Sequence, residues 1–275
     1  MTGLTGEIRA RTPPPEFFAL LRGFIEDSSN SKLERQILIG GVGEAATKQT
    51  VEFFINLRQT ATDPEVRGWA LGGLAGIGRV GTESGAQLVA PLEKLWRDTS
   101  DPQVLMTIAN PLAEIGAASS VQFLLDAALA PPGKDDARKA AAQNALRQID
   151  HESATPPVAA LLAQSAVGSP NAKLAGDILV HIGGAAAGTA LVNWLQVADD
   201  RAAPQAREWV SNTKAPILSD IWQAATGAQF SFRSEKVREA IRTRLAERRA
   251  GIISEKVTPG DGGDRNPGPG PARGN

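Results

Sequence analysis

The chain repeats itself, and that repetition constrains its fold more than any other feature. A run of sixteen residues from Asp63 to Gly78 reads Asp-Pro-Glu-Val-Arg-Gly-Trp-Ala-Leu-Gly-Gly-Leu-Ala-Gly-Ile-Gly. It returns from Asp101 as Asp-Pro-Gln-Val-Leu-Met-Thr-Ile-Ala-Asn-Pro-Leu-Ala-Glu-Ile-Gly. Further copies start at Asp135 and Ser169, and an earlier one spans Ser31 to Gly43. Weaker copies start near Ala203 and at Ser234, giving a period of about 31–38 residues. Self-similarity at such a period signals stacked supersecondary units, none of which can bury its apolar surface alone.

Each unit reads as a helix with marked ends. Asp63, Asp101 and Ser169 can accept hydrogen bonds from the free N–H groups of a helix start. The proline that follows each of them occupies the first helical position, where a missing N–H costs nothing. Val66, Ala70, Leu74 and Ile77 are spaced by 4, 4 and 3, which is one helical face. Gly78, Gly116 and Gly183 follow the last apolar residue, where a left-handed residue ends a helix. A second helix follows each first one: 47–60, 85–98, 119–130, 156–166, 186–198 and 215–225. Abundant alanine lets such helices approach closely.

The Asp-Pro-x-Val-Arg-x-x-Ala-x-x-x-Leu-x-x-Ile-Gly pattern of residues 63–78 resembles the HEAT repeat, in particular its short bacterial, phycobilisome-lyase-type form. The resemblance extends over roughly residues 30–250. It implies an all-α fold, a right-handed α-solenoid of about six to seven HEAT-like helix pairs, with first helices on the convex face and second helices on the concave face. Residues 1–12 are expected to be a flexible N-terminus and 13–252 the solenoid with a helical cap at each end. The Gly/Pro-rich stretch 253–275 is expected to be disordered. At the first cap, Phe17, Leu21 and Phe24 form an apolar stripe with nothing before it to pack on. The last cap, residues 234–249, surrounds Val237, Ile241 and Leu245 with basic side chains, which would suit a solvated terminal helix.

Composition narrows the chemistry. The 275 residues include no Cys and only 2 His. That excludes disulfides, thiolate zinc sites and three-histidine metal sites. No residue set calls for a metal or a cofactor. A net charge of −1, from 29 Lys+Arg against 30 Asp+Glu, argues against binding nucleic acid through its phosphates. There is no long apolar segment that would span a membrane and no secretory pattern, so a cytoplasmic protein is expected. Gly76-Ile-Gly-Arg-Val-Gly81 spells a dinucleotide fingerprint, but it closes a helix instead of opening one after a strand, so it reads as structural. Asp177 and His181, four apart on one helix, can pair. His151, just past a helix end, can meet free carbonyls there.

The most informative pattern is a polar stripe on the otherwise apolar second helices. Glu52, Asn56 and Gln59 share a face, as do Glu93 and Arg97, Gln122 and Asp126, Asn193 and Gln196, and Asp220 and Gln223. Side by side these would line a mixed, mildly acidic groove for an extended peptide or a helix. Trp96, Trp194 and Trp222 lie on the same helices as possible anchors. The expected activity is therefore non-catalytic: a scaffold or adaptor holding a protein or peptide partner. HEAT-like glycosylases of alkylated DNA bases are one alternative, for which Trp96 and Asp98 match by residue type alone. A bilin lyase-like role is another, suggested only by the repeat subtype.

Overall fold

A computed structural model of the chain describes residues 13–77, 82–131, 133, 135–227 and 229–250. Residues 1–12, 251–275 and the Gly78–Gly81 part of the glycine motif lie outside the described residues. Fourteen α-helices account for most of the described chain. They are α1 (Pro15–Glu26), α2 (Lys32–Ala45), α3 (Lys48–Thr60), α4 (Pro64–Ala75), α5 (Thr82–Asp98), α6 (Pro102–Ile115) and α7 (Ala118–Ala128). Then follow α8 (Asp136–Leu146), α9 (Thr155–Gln164), α10 (Pro170–Ile182), α11 (Ala185–Val197), α12 (Ala203–Asn212), α13 (Pro216–Ala225) and α14 (Glu235–Arg249).

The helices form two rows. Even-numbered helices pack on one another as α2–α4–α6–α8 and α10–α12–α14, and odd-numbered ones as α3–α5–α7–α9–α11–α13. Phe18 of α1 meets Phe53 of α3 with ring centroids 5.5 Å apart, which begins the odd row. Between α8 and α10 continuity is carried by the odd row, through α7 and α9. The result is an all-α solenoid in which each helix contacts mainly its neighbours in the stack, with one continuous apolar seam between the rows.

The helix starts follow from the repeat. The carboxylates of Asp63 and Asp101 accept from the backbone N–H of Glu65 and Gln103, and the Ser169 hydroxyl accepts from Ala172. Val66, Ala70, Leu74 and Ile77 are all fully buried. Gly116 and Gly183 stop their helices in the left-handed region, at φ 63° and 69°. Two helices end away from the last glycine of their copy. The helix begun at Ser31 runs past Gly43 to Ala45, and Ala46 takes the left-handed conformation at φ 46°. Gly43 instead lies where α2 crosses α4, so close to Gly73 that a Cβ would sit 2.9 Å from its carbonyl oxygen. Helix α4 ends at Ala75, with Gly76 still right-handed at φ −74°.

Arginines tie the turns together. The fourth residue after the cap in three units, Arg35, Arg67 and Arg238, reaches back over the preceding loop. Arg35 donates to the carbonyl of Ile25 at 2.6 Å, and Arg67 to those of Ala61 and Thr62 at 2.8 and 3.0 Å. Arg238 donates to Thr226 and Gly227 at 3.4 and 3.1 Å. Each thereby supplies donors to the carbonyls a helix end leaves unpaired. Most of the other cations of α14 are used similarly. Arg242 donates to the Thr226 carbonyl, Arg244 to the Ser211 hydroxyl, and Arg248 to the carbonyls of Val210 and Thr213. The basic terminal helix is pinned to α12 and α13 by its charge.

Helix α4 also carries glycine where nothing requires it. A Cβ at Gly72 would meet no atom within 4 Å. Gly72→Ala should therefore stabilise the protein by about 0.5–1 kcal/mol, through helix propensity and lost unfolded-state freedom alone. A urea midpoint at or below that of the parent would contradict this.

Candidate functional site

The odd row presents the polar stripe. Glu52, Asn56 and Gln59 are exposed on α3, Arg97 on α5, and Gln122 and Asp126 on α7, with Glu93 half-buried. Their neighbours hold them in place. Lys48 and Glu52 approach to 3.8 Å, and Arg97 pairs with Glu93 at 2.8 Å while lying over the Phe123 ring of α7. The Gln122 amide donates to Asp126 at 2.8 Å. Arg22 of α1 donates to the Asn56 side-chain oxygen at 2.8 Å.

These residues border two adjoining clefts. One, of about 510 Å³, lies between α3 and α5, with Ile55, Ala90, Pro91 and Leu95 as its apolar part and Lys48, Glu52, Asn56, Gln59, Lys94 and Asp98 around it. The other, of about 430 Å³, lies between α1 and α3 and is lined by Pro13, Phe18, Ala19, Arg22, Gln49, Glu52, Phe53 and Asn56. Glu52 and Asn56 belong to both and form the ridge between them. Charges on the walls largely cancel: Lys48 faces Glu52, and Lys94 pairs with Asp98 at 3.2 Å. What remains are the carboxamides of Asn56 and Gln59 over an apolar floor. Carboxamides both donate and accept, as a peptide backbone does.

The eleven stripe residues do not make one continuous surface. Helix α9 separates them, because its exposed positions are mostly Pro and Ala: Pro156, Ala160 and Ala163, with Gln164 at its end. Asn193 and Gln196 on α11, and Asp220 and Gln223 on α13, therefore lie apart from the group on α3, α5 and α7. Gln223 additionally accepts from Arg249 of α14. Several lining residues were not marked by the stripe: Phe18, Arg22, Pro91 and Lys94. Pro91, a proline in a helix interior, was the visible signal.

The tryptophans pack inward. Trp96 is 2% exposed and stacks edge-on against Phe123, so it does not stand in the cleft beside Asp98. Trp194, Trp209 and Trp222 are buried, and their indole N–H groups donate to the Ser165 carbonyl, the Asp177 carboxylate and the Thr213 hydroxyl. Trp69 is half-buried beneath the Arg35 guanidinium, 4.9 Å from its ring. These are structural positions; none offers an anchor to a partner.

The other candidate polar groups also have structural partners. Asp177 pairs with Lys173 at 3.6 Å and accepts from Trp209, while His181 is exposed. Burial pushes the Asp177 carboxyl above its usual range against the opposing pull of Lys173 and Trp209. His151 packs against Gly116, and the Gly116 carbonyl receives its hydrogen bond from Ser153 at 2.7 Å. Among the described residues no group of three or more His, Asp or Glu is placed to hold a metal ion, and no helix is long and apolar enough to cross a membrane.

Residues 51–147, from α3 to the end of α8, match the family model described as HEAT repeats. The polar group on α3, α5 and α7 and all of the larger cleft's lining except Lys48 fall within this stretch. No curated protein matches the chain. Among solved structures, human deoxyhypusine hydroxylase in complex with glycerol is similar at 17% identity, over 90% of this chain and 88% of that one, with a TM-score of 0.33.

Proposed function

We propose that the protein is a non-catalytic scaffold that holds an extended peptide segment of a partner protein along α1, α3, α5 and α7. The observation that supports this most is the pair of adjoining clefts divided by Glu52 and Asn56. An extended chain crossing that ridge places apolar side chains in both depressions. Its backbone amides meet the carboxamides of Asn56 and Gln59, and the charge-cancelled walls impose no net sign on the ligand. Arg97, held over Phe123, and Asp126 continue the path onto α7. Stacked helical repeats use such faces for binding because successive units add contacts in register.

The test is a crosslinking capture of partners from the native cell, followed by titration of the captured partner against two double variants. Glu52→Lys/Lys94→Glu reverses charges on both walls of the larger cleft, and Arg97→Glu/Asp126→Lys does so further along. Each should weaken binding at least about tenfold while leaving the helical circular dichroism unchanged. Undiminished affinity in both variants would move the site off this face.

A further inference from the structure

Among the described residues the two ends of the stack differ, and the first end lacks a polar finish. Every cation of α1 and α2 already has a partner within the stack. Arg22 reaches Glu26 and Asn56, Lys32 pairs with Glu65 of α4 at 2.8 Å, and Arg35 lies between Ile25, Asp63 and Trp69. The buried residues of α1, Leu21 and Ile25, lie on the same side as Phe18, which touches α3. Phe17 also packs against the core, whereas Leu20, about 200° around the helix from Phe18, is turned away from it. Leu20 is 77% exposed, and on α2 Leu33 is 66% exposed with Ile37 beside it. Three of the six large apolar side chains that stand exposed among the described residues therefore belong to this one helix pair. At the opposite end, α14 turns Glu235, Glu239 and Thr243 outward, the polar finish a terminal repeat needs. The rim of the first end carries acid: Glu16 on α1 and Glu34 on α2.

We propose that this upstream face of α1 and α2 is a docking surface for a cationic amphipathic helix of another protein, which completes the stack. The apolar residues on two adjacent antiparallel helices make a seat for a third, as every interior helix pair does for the next. The sorting of charge selects the occupant. An acidic rim whose cations already have partners attracts Lys and Arg on the flanks of the incoming helix and repels a second copy of the same rim. This surface is distinct from the clefts on the odd row and does not depend on their ligand.

The experiment uses the full chain and an 18-residue helical peptide with Leu at i, i+3, i+4 and i+7 spacing and Lys at the flanks. A counterpart of the same length carries Glu in place of Lys. The Leu/Lys peptide should bind saturably with one-to-one stoichiometry by calorimetry, and the Leu/Glu peptide at least about tenfold more weakly. Leu20→Gln/Leu33→Gln should weaken the Leu/Lys peptide about tenfold or more. Val197→Gln, which alters an equally exposed side chain on α11, should leave it unchanged. Glu34→Lys should narrow the difference between the two peptides. Equal binding by the Leu20→Gln/Leu33→Gln variant, or equal affinity for both peptides, would overturn the proposal. So would a wild-type dimer that the double variant dissociates, which would make a second copy the occupant. Binding that appears only after removal of residues 1–12 would assign the face to the chain's own N-terminal segment instead.

Discussion

Gly176→Ala should cost the protein about 3 kcal/mol, a large fraction of its stability, for a single methyl group. Helix α10 approaches α12 so closely that a Cβ at this position would lie 1.8 Å from the Trp209 ring. The ring cannot retreat. It is fully buried, it packs against Trp194 with centroids 5.6 Å apart, and its N–H is tied to Asp177. The two helices must separate, or the indole must leave its rotamer and its hydrogen bond. Thermal unfolding should fall by roughly 6–10 °C. Tryptophan fluorescence should shift as Trp209 and Trp194 gain solvent. The opposite signs expected for Gly72→Ala and Gly176→Ala make a joint test, since both add the same atom to a helix interior. Equal effects would show that α10 and α12 are not packed as described.

Arg138→Ala should destabilise by about 2–3 kcal/mol, although the residue is far in sequence from what it holds. The unit starting at Asp101 has Leu105 where its relatives have arginine, so nothing local reaches back to the end of α5. Arg138, on α8 of the next unit, does so. Its guanidinium donates to the carbonyls of Trp96, Arg97 and Thr99, the last at 2.5 Å, and to the Asp135 carboxylate at 2.6 Å. Removing it strips several half-buried carbonyls of their donor at once. Arg138→Lys keeps the charge but not the forked geometry, and should recover less than half of the loss. If Arg138→Ala unfolds at the parent's urea midpoint, solvent serves those carbonyls equally well.

The contrast between these residues shows what a sequence of this kind discloses. Asp63, Asp101 and Ser169 announce their helices because capping is local: the acceptor and the donors it serves are two or three residues apart. The buried faces are equally plain, since helical spacing alone separates Val66 from Glu65. Arg138 was opaque because its partners lie about forty residues upstream, and only the missing arginine at Leu105 hints that a substitute is needed. The role of Gly43 was hidden for a related reason. A glycine after an apolar run serves helix ending and close crossing equally well, and here the crossing with Gly73 claims it. The polar stripe was visible as exposed positions on separate helices. Its division by α9 was not, because that depends on which residues α9 turns outward. Trp96 and Trp222 read as possible anchors because type and spacing do not reveal depth.

The carboxylates at two unit boundaries have a consequence for how this chain can vary. Asp63 and Asp101 each use one oxygen to start a helix and the other to hold an arginine of an earlier helix, Arg35 or Arg58. Serine and aspartate are near-equals at helix starts, but a hydroxyl has only one oxygen. Exchange to serine at these two places keeps the helix and cuts the tether, leaving a largely buried guanidinium at Arg35 without its counter-charge. Drift at Asp63 is therefore coupled to drift at Arg35, and drift at Asp101 to Arg58, whereas Ser169 can change alone.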